Sequence, residues 1–200
     1  MADDVNGAVS QRPRVVVGIS GASGVIYGVR TLDALRDLGV ESHLVVTRAA
    51  LMTLSQETDL SADDLMGRAD VAHRLADVGA TIASGSFRTL GMIVAPCSVR
   101  TMSEIATGVT SSLLTRAADV TLKERRPLVL MVRETPLHLG HLRTLVALAE
   151  MGAVIAPPVP AFYARPDTLS DVVDQSVGRA LDALGLDWSA VRRWEGLKPE

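Results

Sequence analysis

Residues 14–24 read RVVVGISGASG, and this stretch decides the fold. Its first six residues form a β-branched run that predicts a buried strand, and the small residues after it predict a tight turn. Apolar residues at helical spacing then predict a helix over 25–38, closed by Gly39, which suits the left-handed conformation just past a helix end. A second short strand over 42–47 completes a strand–helix–strand unit, whose parallel strands require a right-handed crossover.

The same alternation continues along the chain. We expect further strands over 91–96, 128–132 and 153–156, and further helices over 99–106, 111–122, 139–151 and 169–184. Short strands alternating with helices predict an α/β protein with a doubly wound, Rossmann- or flavodoxin-like fold. We expect one domain built on a mostly parallel sheet, with helices on both faces.

The domain boundaries follow from the same pattern. Residues 1–12 are expected to form a flexible tail, 13–186 the α/β domain and 187–200 a separate C-terminal segment. Residues 55–86 carry polar helix-like pieces and no clear pattern, so we assign no element there. We find no internal repeat and no second domain.

Composition excludes several classes of protein. A hydrophobic content of 48% and a mean hydropathy of +0.25 suit a chain that buries a sizeable core. A net charge of −3 disfavours nucleic-acid binding, and no apolar run approaches the roughly 18 to 20 residues of a membrane span. Cys97 is the single cysteine, and the N-terminus does not resemble a secretion signal, so we expect a cytoplasmic protein.

Ligands of open α/β sheets bind beyond the carboxyl ends of the strands, so the residues directly after each strand are candidates for a site. Residues 18–24 combine glycines and hydroxyls at a helix start, which suits phosphate and equally suits a tight turn without ligand. Residues 96–101 form a second such helix start, where Ser98 is also an ordinary N-cap. For Cys97, a small buried apolar role is favoured over that of a nucleophile, since no Cys–His pattern accompanies it.

Two later strand ends also carry reactive side chains. Glu134 beside Arg133 is a candidate acid or base; the alternative is a surface ion pair before a helix capped by Thr135, with a proline at its first position. Residues 157–163 hold three prolines before Tyr163, a stiff loop that either places the phenol over a pocket or serves as a spacer. His138 and His141 lack a third ligand of suitable spacing, so we expect no metal.

Five segments of the chain occur together in a fixed order. They are GISGASG at 18–24, APCS at 95–98, RAADVTLKERR at 116–126, RETPL at 133–137 and PPVPAFY at 157–163. From Arg14 to Leu186 the chain thereby resembles the UbiX flavin prenyltransferases, relatives of the flavin-dependent cysteine decarboxylases. The resemblance implies transfer of a dimethylallyl group from dimethylallyl monophosphate to N5 and C6 of reduced FMN, without a metal. The prenylated FMN would then serve a UbiD-type decarboxylase.

The resemblance also implies which residues bind each substrate. The FMN-binding set is Gly21, Ala22, Ser23, Thr47, Ser98, Val99, Arg100, Thr101 and Arg133. The set that binds the prenyl phosphate is Arg116, Lys123, Tyr163 and Arg179. Cations and a phenol O–H stabilise the charge that grows on a departing phosphate. Without the resemblance, Lys123 would be interpreted as an ordinary solvated helix end.

Three residues are implied in the chemistry itself. Ser20 and Glu134 are expected to take part in proton movements, with the departing phosphate as a further base. Trp194 is expected to stabilise an allylic cation through its π face, the alternative being an indole that covers apolar surface. Only six residues are aromatic, so we expect the flavin ring to lie against aliphatic and polar groups.

The resemblance further implies a homododecamer in which residues 187–200 pack on a neighbouring subunit. Two departures from the family pattern stand out. Arg100 replaces a lysine, and residues 108–112 lack an expected acidic or amide residue. The alternative functions are an FMN-dependent cysteine decarboxylase and a flavin-binding accessory protein without catalytic activity.

Overall fold

Six parallel strands form one sheet in the computed structural model, which describes residues 12–196 of the chain. The spatial order is β3-β2-β1-β4-β5-β6. The strands are β1 (Arg14–Ile19), β2 (Glu41–Val46), β3 (Val71–His73), β4 (Gly91–Cys97), β5 (Leu128–Val132) and β6 (Val154–Ile155). The predicted doubly wound parallel sheet is confirmed, since the order reverses beside β1.

Helices cover both faces of this sheet. They are α1 (Val25–Asp37), α2 (Arg48–Glu57), α3 (Ala62–Met66), α4 (Val99–Ala106), α5 (Leu113–Lys123), α6 (Leu139–Glu150) and α7 (Leu169–Asp182). One core joins α1, α2, α3 and α7 to the sheet, and a second joins α4, α5 and α6 to its other face. Alternate residues of β1 serve the two cores: Val15 and Val17 face the first, and Val16 faces the second.

The structure adds three elements that the sequence did not predict. Helices α2 and α3 and the edge strand β3 were not predicted, because their surface is largely polar and only Ala50, Leu54 and Leu65 of the helices are buried. The helix predicted over 139–151 is confirmed as α6, whereas the alternative of a helix capped by Thr135 is wrong. Helix α6 begins at Leu139, because the ring of His138 accepts the first backbone N–H groups of the helix and so caps it.

Both chain ends of the domain are packed where they are described. Residues 1–11 of the predicted tail and residues 197–200 lie outside the described residues, whereas Arg12 forms an ion pair with Asp70. In the C-terminal segment, Trp188 is buried and its indole N–H donates to Asp37 at 3.3 Å. Residues 188–192 therefore pack on α1 and α7 of their own chain, and packing of the segment on a neighbouring subunit stays a prediction.

None of the helices within residues 12–196 has the length and apolar character needed to cross a membrane.

Candidate active site

A cleft of about 630 Å³ opens where the strand order reverses, beyond the carboxyl ends of β1, β2, β4 and β5. All nine residues predicted to bind FMN line it, together with Glu134. Sequence reasoning missed the remaining lining residues, which are Arg48, Ala49, Leu75, Glu104, Ser111, Ser112, Leu114, Thr115 and Thr135. Arg48 lies directly after the end of β2, so the strand-end rule used for the other segments would have found it.

A buried hydroxyl joins the two strands that flank the cleft. The Ser20 hydroxyl donates to the Pro96 carbonyl at 3.0 Å and accepts the Ser98 backbone N–H at 2.7 Å. Ser20 is 1% exposed and does not line the cleft, so in this structure its hydrogen is held by a carbonyl. Its part in proton movement stays a prediction, and it requires the bond to Pro96 to open.

Two helices begin at the cleft with hydroxyl caps. The Thr47 side chain accepts the backbone N–H of Ala50 at the start of α2, and the Ser98 side chain accepts that of Thr101 at the start of α4. Each helix therefore directs the positive end of its dipole, and the N–H groups of its first turn, toward the same space. The cleft can accept a phosphate or another anion at these starts.

The start of α1 is already occupied by a carboxylate of the protein. Glu57, at the end of α2, accepts the backbone N–H groups of Gly24 at 2.8 Å and Val25 at 3.1 Å. Burial acts to raise the pKa of Glu57, but hydrogen bonds from Ser23 and these two N–H groups outweigh it and hold the pKa below its usual range. These two N–H groups are thus not free to bind a ligand phosphate. Sequence reasoning missed Glu57 because it lies in the stretch without a clear pattern.

Arg133 lies close to the helices on the opposite side of the cleft. Its backbone N–H donates to the Cys97 carbonyl at 3.0 Å, which holds the end of β5 against β4. Its charge acts to lower the pKa of Glu57 and that of Tyr27, although burial raises the Tyr27 pKa overall. The guanidinium is exposed to the cleft, where it can contact an anionic ligand.

Glu104 places a carboxylate beside the segment 108–112, where an expected acidic or amide residue is lacking. It lines the cleft, pairs with Arg100 at 2.9 Å and accepts the Ser111 hydroxyl at 2.7 Å. Burial acts to raise the Glu104 pKa, but the hydrogen bonds from Ser111 and Arg100 lower it overall. An ionised carboxylate therefore lies at this wall of the cleft, anchored to the segment where the family pattern is broken.

Glu134 stands at the mouth of the cleft. It is exposed, and its carboxylate accepts the backbone N–H of Thr135 at 2.9 Å. The second carboxylate oxygen forms no hydrogen bond with residues 12–196. A carboxylate at a strand end, one residue from Arg133, can exchange protons with a ligand in the cleft.

Besides Ser20, five predicted residues do not line the cleft of their own chain. Arg116 bonds to the Ala83 carbonyl and Asp119, and Lys123 pairs with Glu124. Arg179 pairs with Asp182 elsewhere on the molecule.

Tyr163 and Trp194, the other two of the five, contact each other. Their rings meet edge to face at 5.8 Å, and they are 50% and 61% exposed. The single chain thus brings together the predicted FMN ligands and leaves the predicted prenyl-phosphate ligands and Trp194 on other surfaces.

The buried cysteine is not a reactive group. Burial raises the pKa of the Cys97 thiol to about 12, and the side chain is fully buried at the end of β4. A thiol in that state is protonated at neutral pH and inaccessible to solvent. Cys97 therefore serves as a small apolar side chain of the core. Within residues 12–196, no three His, Cys, Asp or Glu side chains come together as a metal site.

The cleft walls fit a flavin. A Cβ on Gly21 would lie 2.3 Å from the Ala49 Cβ, so a side chain at this position would force the cleft wall apart. The residues that line the cleft include hydroxyls and guanidinium groups for a phosphate, alongside Val99, Leu75 and Leu114 for a ring. Because no aromatic residue is among these lining residues, a bound ring would lie against aliphatic and polar groups.

Comparison with known proteins shows which family this chain matches. The model of the Flavoprotein family matches residues 6–181. The flavin prenyltransferase UbiX of Escherichia coli (strain K12) is 59% identical over 186 residues, which cover 92% of this chain and 98% of that protein.

Two crystal structures match closely. AnUbiX (PadA1) in complex with FMN and dimethylallyl pyrophosphate has a TM-score of 0.92 and 47% identity, covering 94% of this chain and 100% of that one. A dodecameric FMN-dependent UbiX-like decarboxylase from Escherichia coli O157:H7 has a TM-score of 0.89 and 49% identity, covering 92% and 100%.

Proposed function

This chain belongs to the UbiX flavin prenyltransferases of the Flavoprotein family, and we propose that it joins the dimethylallyl group of dimethylallyl monophosphate to reduced FMN and releases phosphate. The observation that carries this proposal is the cleft beside β1 and β4, which is lined by all nine residues expected to bind FMN. When bound, reduced FMN supplies N5 and C6 as the nucleophilic atoms that bond to the prenyl carbons.

The cleft residues divide into binding and proton-handling groups. We assign FMN binding to the nine lining residues, with the starts of α2 and α4 and the Arg133 guanidinium as the groups suited to its phosphate. Glu134 gives or takes the protons of the reaction at the cleft mouth, because its carboxylate is exposed there and pairs with no cation among residues 12–196. Ser20 holds the strand ends in register for these groups.

The prenyl-phosphate ligands come from neighbouring copies of the chain. Five predicted residues lie outside their own chain's cleft: Arg116, Lys123, Tyr163, Arg179 and Trp194. Four of these five side chains are substantially exposed. We assign them to clefts of adjacent subunits in a homododecamer, the assembly of the related Escherichia coli O157:H7 structure. There the cations and the phenol stabilise charge on the departing phosphate, and Trp194 faces the prenyl cation.

Two further proposals concern the use of the product and the location of the protein. We propose that prenylated FMN passes to a UbiD-type decarboxylase and that the protein is cytoplasmic, as its single buried cysteine suggests.

Phosphate release tests the proposed reaction. Under anaerobic conditions, the protein should liberate inorganic phosphate from dimethylallyl monophosphate only when reduced FMN is present. Oxidised FMN is the matched control. A parallel assay with dimethylallyl diphosphate shows which of the two prenyl donors the protein uses. Phosphate release at the same rate with and without reduced FMN would indicate a phosphatase and would overturn the proposal.

A further inference from the structure

A buried amide connects three elements that carry predicted substrate ligands. Gln175 lies on α7 and is 5% exposed. It contacts the 3-10 turn Phe162–Ala164, which carries Tyr163, and the backbone of Arg192, two residues before Trp194. A buried polar side chain with no place in the FMN cleft requires an explanation, because its burial costs free energy unless every polar atom is bonded.

The hydrogen bonds determine which way the amide points. The backbone N–H of Arg192 donates to Gln175 at 3.0 Å, so the accepting atom must be the side-chain oxygen Oε1. Nε2 is then the other atom, and it donates to the Arg192 carbonyl at 3.1 Å and to the Tyr163 Oη at 3.2 Å. Both amide hydrogens are used, and the phenol oxygen is an acceptor.

This direction determines what the phenol can do. Because the Tyr163 oxygen accepts from Gln175, its own hydrogen points away from the amide, and the residue is 50% exposed. A hydroxyl that already accepts one hydrogen bond is also a stronger donor. We infer that Gln175 is a positioning residue that holds the Tyr163 O–H free to donate to the phosphate of the prenyl donor. The inference rests on the proposed function, which assigns Tyr163 to that phosphate.

The contacts around Gln175 also involve other residues predicted to act on the prenyl donor. The Arg192 guanidinium donates to the Ala164 carbonyl at 2.8 Å, which fastens the C-terminal segment to the turn that carries Tyr163. Trp194 then meets the Tyr163 ring edge to face. Arg179 lies one helical turn beyond Gln175, and both residues line a groove of about 420 Å³. Gln175 thus bonds directly to the phenol and to the backbone of the segment that carries the indole, and it lies on the same helix as the Arg179 guanidinium.

The test compares substitutions that change the direction of the hydrogen bond. In Gln175→Glu a carboxylate replaces the donor, so it would accept the Tyr163 O–H and turn that hydrogen away from the phosphate. Gln175→Leu removes the donor altogether. Gln56→Glu, at an exposed glutamine of α2, is the matched control. Thermal unfolding, oligomeric state and FMN affinity report folding, and Gln175→Leu carries the comparison if Gln175→Glu does not fold.

We expect the Gln175 variants to raise KM for dimethylallyl monophosphate about tenfold, the equivalent of one lost hydrogen bond to a charged group, with unchanged FMN affinity. In a Tyr163→Phe background the same substitutions should raise KM no further, a coupling that a purely structural role would not produce.

Three results would overturn the inference. The first is a Gln175 variant with the KM of the unchanged protein while Tyr163→Phe raises KM, which leaves the proposed function standing. The second is an undiminished Gln175 effect in the Tyr163→Phe background. The third is a Tyr163→Phe variant with unchanged KM, which removes the phosphate role of Tyr163 along with the inference.

Discussion

The Ser20 hydroxyl accepts the Ser98 backbone N–H at 2.7 Å and thereby joins the ends of β1 and β4, the two strands between which the sheet order reverses. The same hydroxyl donates to the Pro96 carbonyl at 3.0 Å. The Ser20 hydroxyl belongs to a residue that is 1% exposed, so neither strand end can move outward without leaving polar groups unpaired. One side chain outside the lining of the cleft thus helps to hold together the strand ends beneath it.

Removing this hydroxyl should loosen the cleft floor. Ser20→Ala leaves the Ser98 N–H without its partner, whereas the Pro96 carbonyl still accepts the Ser20 backbone N–H at 3.1 Å, so we expect a loss of about 1–3 kcal/mol in the free energy of unfolding. Urea denaturation measures the loss. Ser55→Ala, which removes an exposed hydroxyl bonded to the Met52 carbonyl, is the control and should change stability by less than about 0.5 kcal/mol. Equal effects of the two substitutions would contradict the account.

The close approach of Gly21 to α2 should not tolerate a side chain. In Gly21→Ala the new Cβ would lie 2.3 Å from the Ala49 Cβ, so we expect a shifted cleft wall, a cost of about 1–3 kcal/mol and weaker FMN binding. Flavin titration and thermal unfolding measure both effects. Gly79→Ala is the control, because its Cβ would have the Asp77 carboxylate at 3.5 Å as its nearest neighbour. Full FMN affinity in Gly21→Ala would refute this close approach.

The Glu57 carboxylate should make stability depend on acidity. Its pKa is lower in the fold than in the unfolded chain, so its ionised form favours the folded state. That contribution is complete above the unfolded pKa and is lost as the pH falls through the folded pKa. We expect Glu57→Gln to lower the free energy of unfolding by about 0.5 kcal/mol at pH 7, since the residue is largely exposed.

Denaturant titrations of both proteins between pH 7 and pH 3 provide the measurement. The difference between them should shrink once the pH falls below about 4.3, where the unfolded glutamate takes up its proton. A difference that grows toward low pH would have the opposite sign to this linkage and would contradict the assigned pKa direction.

Active sites shared between subunits should show complementation. Arg133→Ala damages the cleft and Tyr163→Phe damages a ligand that lies outside its own chain's cleft, so each homo-oligomer should lose most of its activity when dimethylallyl monophosphate is well below KM. Co-assembled mixed oligomers should regain part of the activity, because some clefts receive an intact Arg133 from one chain and an intact Tyr163 from another. Activity of the mixture equal to the average of the two parents would rule out sharing of this kind.

Sequence patterns predicted the sheet well for a physical reason. Strands such as β1 and β5 are buried on both faces and contain mainly aliphatic residues, so hydrophobicity alone marks them. The edge strand β3 has three residues, of which Val71 and Ala72 are exposed, and nothing in its hydrophobicity separates it from a loop. The same limit applies to α2, which buries only Ala50 and Leu54.

The candidate site likewise contains residues that the sequence predicts and residues that it does not. Ser98 and Arg133 lie directly after strands, so the topology of a parallel sheet is enough to place them together. Glu57 reaches the start of α1 from a helix 33 residues away in sequence, and Gln175 meets Tyr163 and Arg192 from a third element. Such contacts depend on how helices pack on the sheet, which no local pattern records.

The mass of the flavin tests the central claim most directly. The protein is incubated anaerobically with reduced FMN and dimethylallyl monophosphate, and the flavin is then analysed by mass spectrometry. Glu134→Gln serves as the matched variant, expected to bind FMN with unchanged affinity and to form product more slowly. We predict a flavin heavier by one C5H8 unit that accumulates with time. FMN that is bound but remains unmodified by the unsubstituted protein would contradict the account.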